Sequence, residues 1–336
     1  ETPVHPKGMV PSYLDPRIER SHGSVTCKDW LLAAMKNCDV ILHLAAFQDY
    51  LPQFSKFVDV NVSSTARIYE LIVKHNIPIK KIVVASSQAA MGEGLYKTKT
   101  GRKVFPNMRL EKDLKKGIWE PKGPKGMKWA PSDETVSNPQ NPYGMSKIAE
   151  EMFALHLGKR YNIPTVALRY SIVQGSRQSF YNAYSGACRI FSLAFHQGNE
   201  PPIYEDGNQI RDFVNIHDVV DANILTMENS RADYEVFNVG GGKAITVKDF
   251  AKVVADVYGR IDYEPVACGR YRFGDTRHIF SDISKLKRLG WEPKRTVQDS
   301  VVEYKEWLDS AGSVDNIVEY CTKQMQKLNV VREVNA

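Results

Sequence analysis

Apolar strand-like runs alternate with helical patterns over the first two-thirds of the chain, and this limits the fold more than any other feature. Val40-Ile-Leu-His-Leu44 is a short apolar run ending at Ala45-Ala46, and Phe54 to His75 has helical periodicity. Ile82-Val-Val-Ala-Ser-Ser87 is the next strand. A helix then starts at Asn141, which can cap it, with Pro142 in its first turn and a stripe of Met145, Ile148, Met152, Phe153 and Leu157. Thr165 to Arg169 is a strand again. Strands separated by helices build a parallel, doubly wound α/β sheet. Beyond about residue 175 the pattern is mixed. Helices are expected at 187–196, 217–228, 247–258 and 297–308, and a strand at 235–239 is expected to return to the sheet.

The 336 residues, 43% apolar and 25% charged, suffice for one large α/β unit or two modest domains. No apolar run reaches the ~18 residues of a membrane helix. The start, Glu1-Thr-Pro-Val-His5, has no basic region followed by an apolar stretch, so no signal peptide is expected. Five cysteines (Cys27, Cys38, Cys188, Cys268, Cys321) are scattered without a Cys-x-x-Cys pair. That argues against a disulfide framework or a metal site and for a reducing cytosol. The net charge of +6 is concentrated: from Lys97 to Lys128, eleven Lys and Arg face three acids, an excess of eight. Only Phe105 and Trp119 are interleaved there, so the polar stretch 97–135 reads as a solvated basic insertion. Neither a nucleic-acid nor a membrane partner is expected.

The chemistry points to Asn141-Pro-Tyr-Gly-Met-Ser-Lys147. Tyr143 and Lys147, four apart on a helix, share one face. A phenol loses its proton near pH 10, and a neighbouring ammonium favours the phenolate, so the pair suits proton abstraction at neutral pH. Ser87 falls at the carboxyl end of a strand, where open α/β sheets place their ligands.

Several short motifs then follow in order: His43-Leu-Ala-Ala46, Asn61 with Thr65, Ala85-Ser-Ser87 with Gly92, Pro142-Tyr-Gly-Met-Ser-Lys147, Leu168-Arg-Tyr170, Arg211-Asp-Phe-Val214, Phe237-Asn-Val-Gly240, Arg272-Phe-Gly-Asp275 and Leu289-Gly-Trp291. From about Val40 to Pro293 the chain resembles the extended short-chain dehydrogenase/reductases, and within them the NAD-dependent nucleotide-sugar epimerase/dehydratase branch. The resemblance implies a Rossmann-like dinucleotide-binding domain over 1–175, with returning segments near 212–240 and the insertion at 97–135. A smaller α/β lobe over 176–330 would bind the sugar nucleotide. It implies Tyr143 as catalytic base and acid, Lys147 as its partner and Ser87 on the reacting sugar hydroxyl. It also implies NAD contacts at Leu44, Ala45, Ala46, Asn61, Ala85, Ser86, Tyr143, Lys147 and Tyr170. Substrate contacts would come from Ser87, Tyr143, Asn182, Arg211 and Arg272, with the two arginines on the diphosphate, which a planar guanidinium suits. A homodimer is expected by the same resemblance.

Two departures sharpen this. The 4,6-dehydratases of the branch carry an acid just after the catalytic Ser/Thr; here Gln88 and Ala89 stand there and neither moves a proton at neutral pH. That leaves epimerisation or dehydrogenation; the stretch Gly175-Ser-Arg-Gln-Ser179 through Asn182-Ala-Tyr-Ser-Gly186 resembles 4-epimerases acting on UDP-hexoses or dTDP-6-deoxyhexoses, which implies C4 inversion. A dehydrogenase, reductase or dehydratase, or a non-catalytic sugar-nucleotide-binding protein, are the alternatives. Second, the chain lacks the family's first strand, its Gly-x-x-Gly-x-x-Gly turn and the helix after it. A truncated sequence missing roughly 35 residues of that unit, or a divergent protein without it, is expected. Ser24 stands where relatives carry an adenine-contacting Asp. Gly240-Gly-Gly242-Lys243 lacks the spacing of a phosphate loop and reads as a tight turn, and His217-Asp218 reads as a helix start.

Overall fold

The computed structural model describes residues 11–50, 52–179, 186–310, 319, 323 and 325–335. In chain order its first half comprises α1 (Lys28–Met35), β1 (Val40–His43), and α2 (Phe54–Phe57), which runs through a π-helical turn (Val58–Ser63) into α3 (Ser64–His75). Then come β2 (Lys81–Ser87), β3 (Leu95–Lys97), β4 (Lys103–Val104), α4 (Glu111–Leu114), β5 (Lys128–Ala130) and α5 (Pro142–Tyr161). The second half holds β6 (Thr165–Tyr170), β7 (Ile172–Gln174), α6 (Ala187–His196), β8 (Ile210–Asn215), α7 (Ile216–Glu228) and β9 (Glu235–Val239). It closes with β10 (Ala244–Thr246), α8 (Val247–Val257), β11 (Arg270–Arg272), α9 (Ser284–Lys287), α10 (Val297–Ser310) and β12 (Val331–Glu333).

The central sheet has the order β1-β2-β6-β9, all parallel. A parallel strand covered on both faces must be apolar throughout, and β2 is buried at every residue but Ser87. Its side chains alternate between two cores. Ile82 and Val84 pack with Ile68, Tyr69 and Ile72 of α3 and Ala154 of α5. Val83 packs with Val219 and Ala222 of α7 and Phe237 of β9. The strand at 235–239 does return to this sheet. β1 is an edge strand of the described sheet, with Leu42 47% and Leu44 54% exposed. Residues 18–24 are irregular, with no strand pairing among the described residues.

The smaller lobe is built on β10-β8-β7, with β8 parallel to β7 and antiparallel to β10. Its core joins α6, α8 and α10 through Phe191, Phe213, Phe250, Val254 and Tyr304. The basic insertion is more ordered than a solvated loop. It folds as an antiparallel sheet β4-β3-β5, in which Lys97 lies opposite both Lys103 and Lys128. Leu95 anchors that sheet in a small cluster with Met91, Val136 and Ile279. Among the described residues no helix is long and apolar enough to cross a membrane.

Candidate active site

Two glycines bring the ends of β2 and α5 together. Asn141 caps α5, its Oδ1 accepting from the Gly144 N–H at 2.7 Å, with Pro142 in the first turn. A Cβ on Gly144 would lie 2.4 Å from the Ala89 carbonyl oxygen, so only glycine lets this helix start so close to the turn after β2. Gly92, at φ +59°, closes that turn from the other side, where a Cβ would lie 2.0 Å from the Asn138 carbonyl oxygen. Ser87 is a close enough neighbour of the Tyr143 hydroxyl to lower its pKa, and its Oγ accepts from the Ala89 N–H at 3.1 Å.

Lys147 is where the geometry departs from the simple tyrosine–lysine expectation. Its ammonium is buried, donates to the Ala85 carbonyl at 2.7 Å and pairs with Glu150 at 2.7 Å. It lies 5.9 Å from the Tyr143 ring centroid. Burial raises the Tyr143 pKa above that of a free phenol; the Ser87 hydrogen bond opposes the rise and the Glu150 charge adds to it. Tyr143 is thus a phenol, not a phenolate, in this state. Burial pushes Glu150 up to about 7, with Lys147 pulling the other way. The second Glu150 oxygen has no hydrogen-bond partner and lies 3.7 Å from His43 Nε2. Burial, and then the Lys147 charge, hold His43 down at about 4, a neutral imidazole. Its Nε2 meets Thr65 Oγ1 at 3.0 Å. Glu150 was missed from sequence; the available signal was an acid three residues after a lysine on the same helix.

The other cofactor-side residues divide into three groups. Asn61 is fully buried and bridges the Phe47 backbone (2.7 and 3.0 Å) to Ser146 Oγ of α5 at 2.8 Å, fixing the chain after β1 against the catalytic helix. Leu44, Ala45 and Ala46 lie just beyond β1, where Leu44 and Ala46 are exposed. Ala85, Ser86 and Tyr170 are engaged inside the protein. Ser86 donates to Glu151 at 2.9 Å, Glu151 pairs through both oxygens with Arg169, and the Tyr170 hydroxyl donates to Asn223 at 2.8 Å. The Ser86 side chain therefore holds α5 on the sheet and does not present its hydroxyl to a ligand. Tyr170 sits opposite Ser87 in the β2–β6 register.

Arg211 and Arg272, far apart in sequence, line one cavity with Tyr204, Gln209 and Asp275. The Asp275 carboxylate lies 3.9 Å from each guanidinium, and the arginines are only 12% and 14% exposed, so neither is a loose surface ion pair. Arg272 donates to the Tyr50 hydroxyl at 3.1 Å, while its Nε is buried without a partner. Asn182, with Phe180, Tyr181 and Tyr184, lies outside the described residues. Gly240 and Gly241 take no phosphate-loop form; they pack against Asp212 and the Phe213 carbonyl.

Comparison with known proteins identifies the family. The model of the NAD dependent epimerase/dehydratase family matches residues 7–111 and 118–240. A dTDP-L-rhamnose 4-epimerase of Burkholderia thailandensis is 33% identical over 314 residues, covering 91% of this chain and 85% of that protein. A putative UDP-glucose 4-epimerase of Methanocaldococcus jannaschii is 29% identical over 281 residues, covering 81% of this chain and 78% of its own. The UDP-glucose 4-epimerase of Thermotoga maritima, solved with UDP-glucose, superposes with a TM-score of 0.70 at 27% identity, covering 87% of this chain and 84% of that one. The chain belongs to the NAD dependent epimerase/dehydratase family.

Proposed function

We propose that the protein is an NAD-dependent nucleotide-sugar 4-epimerase, acting on a UDP- or dTDP-hexose. The observation that carries this reading is Ser87 beside Tyr143 on the helix that bears the buried Lys147, in a chain where Arg211 and Arg272 line one cavity and Gln88 and Ala89, not carboxylates, stand directly after Ser87. The first group suits a sugar hydroxyl and the second a diphosphate. Gln88 and Ala89 cannot supply the acid that dehydration needs.

The residues present fit the nicotinamide-ribose end of NAD. An ammonium has three N–H groups; two of those on Lys147 are engaged, which leaves a third for a ribose hydroxyl. Leu44, Ala45 and Ala46 would line the same edge, with the Asn61 side chain buried behind them and holding the chain in place. When bound, NAD supplies reversible hydride acceptance, the redox half of the reaction.

Tyr143 Oη takes the proton of the C4 hydroxyl and later returns it to the inverted oxygen, while Ser87 hydrogen-bonds that oxygen in both positions. The flat 4-keto sugar turns between these two events, tethered through its diphosphate by Arg211 and Arg272. To take that proton Tyr143 must first release its own to solvent, and forming a phenolate of raised pKa needs positive charge nearby. Lys147 supplies it best when Glu150 is neutral, a state Glu150 reaches near pH 7.

What supports a homodimer is the outer layer of α3 and α5, with Val73, Met145, Met152 and Phe153 exposed on it. A second copy would cover that face. The free thiols Cys27, Cys38, Cys188 and Cys268 favour a reducing, cytoplasmic setting.

The test is incubation with NAD and either UDP-glucose or dTDP-L-rhamnose, read by NMR of the sugar. The expected result is a C4-epimer mixture with no net change in cofactor redox state. Stoichiometric accumulation of reduced cofactor would establish a dehydrogenase instead.

A further inference from the structure

Glu205 adopts a left-handed backbone conformation at φ +56°, yet it is only 4% exposed. Glycine takes that conformation without strain, whereas a side chain there is held by its surroundings. Those surroundings are two buried arginines. Arg109, carried by the basic insertion, meets both Glu205 oxygens at 2.9 and 2.8 Å. Arg277 meets one of them at 3.2 Å and grips Asp206 at 2.7 and 2.9 Å.

The same arginines reach both functional ends of the molecule. Arg109 donates to the Asp275 carbonyl at 2.7 Å, between the Arg272 strand and Arg277. Arg211 donates to the Arg277 carbonyl at 3.1 Å. Glu93, one residue after the Gly92 turn that places Ser87, accepts from the Arg277 N–H at 2.6 Å and lies 3.3 Å from Arg109 Nε. A continuous chain of buried charges therefore runs from the serine turn, through Glu93, Arg109 and Glu205, to the wall that carries Arg211, Arg272 and Asp275. Networks of this kind are weak sources of stability, because desolvation offsets the attraction, but a planar guanidinium bound at both prongs fixes direction.

We propose that Arg109 and Glu205 are positioning residues that hold Arg211 and Arg272 at a set distance from Ser87, so that a sugar tethered by its diphosphate presents its reacting carbon to Tyr143. The insertion is thereby part of the binding apparatus. This rests on the nucleotide-sugar reading. The field of the network reaches the clamp: burial opposes the charge on Arg211, Asp275, Glu205 and Glu93 support it, and Arg109 opposes it.

The test uses Glu205→Gly and Arg109→Lys in the full chain, with melting temperature, calorimetric Kd for UDP and dTDP, and KM and kcat as readouts. Glu205→Gly removes the carboxylate and the backbone strain together. Its melting temperature should fall, because Arg109 and Arg277 lose a shared buried carboxylate, and in the folded variant Kd for the preferred diphosphate and KM should rise about tenfold, the effect of about 1.4 kcal/mol. Arg109→Lys keeps the charge without the fork and should weaken Kd in the same direction. A folded Glu205→Gly with wild-type Kd and KM overturns the proposal. If that variant does not fold, Arg109→Lys decides by the same criterion, and failure of both to fold makes the network structural and the proposal wrong. Wild-type protein that binds a diphosphate but epimerises nothing removes the functional reading alone; wild-type protein that binds neither diphosphate removes both.

Discussion

Ser87, Tyr143 and Lys147 come from two elements, β2 and α5, while the diphosphate wall gathers Arg109 from the insertion, Glu205 from a turn, Arg211 from β8 and Arg272 from β11. The first group is local and rigid. Its geometry follows from one helical turn and one close approach at Gly144. The second is assembled by charge, with Arg109, Arg277, Glu93 and Glu205 all buried. The difference teaches that chemistry and tethering are separable here: one end is set by backbone packing, the other by paired ions. Substitutions at the first should act on kcat, and those at the second on binding.

Tyr143→Phe is the largest expected effect. It should lower kcat by at least about a thousandfold, within the range for a lost acid–base group, while Kd for UDP or dTDP stays within about twofold. Residual turnover near wild type would break the comparison at its catalytic end. Arg211→Ala comes next. It should raise KM and diphosphate Kd by roughly ten- to a hundredfold, matching about 1–3 kcal/mol for a charged hydrogen bond, with kcat largely kept. An unchanged Kd would make the arginine a structural residue.

Glu150→Gln sharpens the catalytic end. The Glu150 charge raises the Tyr143 pKa, so its removal should lower that pKa and move the acidic limb of the kcat–pH profile to lower pH. The stability consequence has a definite sign. Glu150 titrates at about 7 in the fold against an ordinary 4.5, so the stability linked to its proton is full below about 4.5 and lost as pH rises through about 7. The Gln variant should lack that slope in urea titrations across this window. A profile identical to wild type would mean that Glu150 does not govern the site.

Met152→Asp has the smallest expected effect on chemistry. Met152 is 56% exposed on α5, and a charge there should shift sedimentation from dimer to monomer while kcat changes less than about twofold. A variant that sediments as the wild type does would exclude this face as the contact.

The catalytic end was largely legible beforehand because its signals are local. A cap at Asn141, a proline after it and a four-residue spacing define one helix face wherever the helix lies. The flanking strands Ile82–Ser87 and Thr165–Arg169 were legible because strands buried on both faces are apolar without interruption. Arg211 and Arg272 were named through motif order, with no physical signal linking them. Glu150 was overlooked because an acid on a charged helix ordinarily faces solvent. The insertion misled for the same reason: nothing in a run of eleven basic residues marks Arg109 as the one that turns inward.

Periodicity, caps and the four-residue spacing of Tyr143 and Lys147 were enough to specify a parallel α/β sheet with a serine, a tyrosine and a lysine near its carboxyl edge. These are short-range properties, governed by backbone geometry and burial. The ionisation of that tyrosine and the contacts that bring the buried arginines together depend on distant segments meeting. Burial strips water from charges and makes their neighbours decisive, and neighbours separated by a hundred residues or more in sequence, such as Arg211 and Arg277 with Glu93, have no spacing rule to announce them.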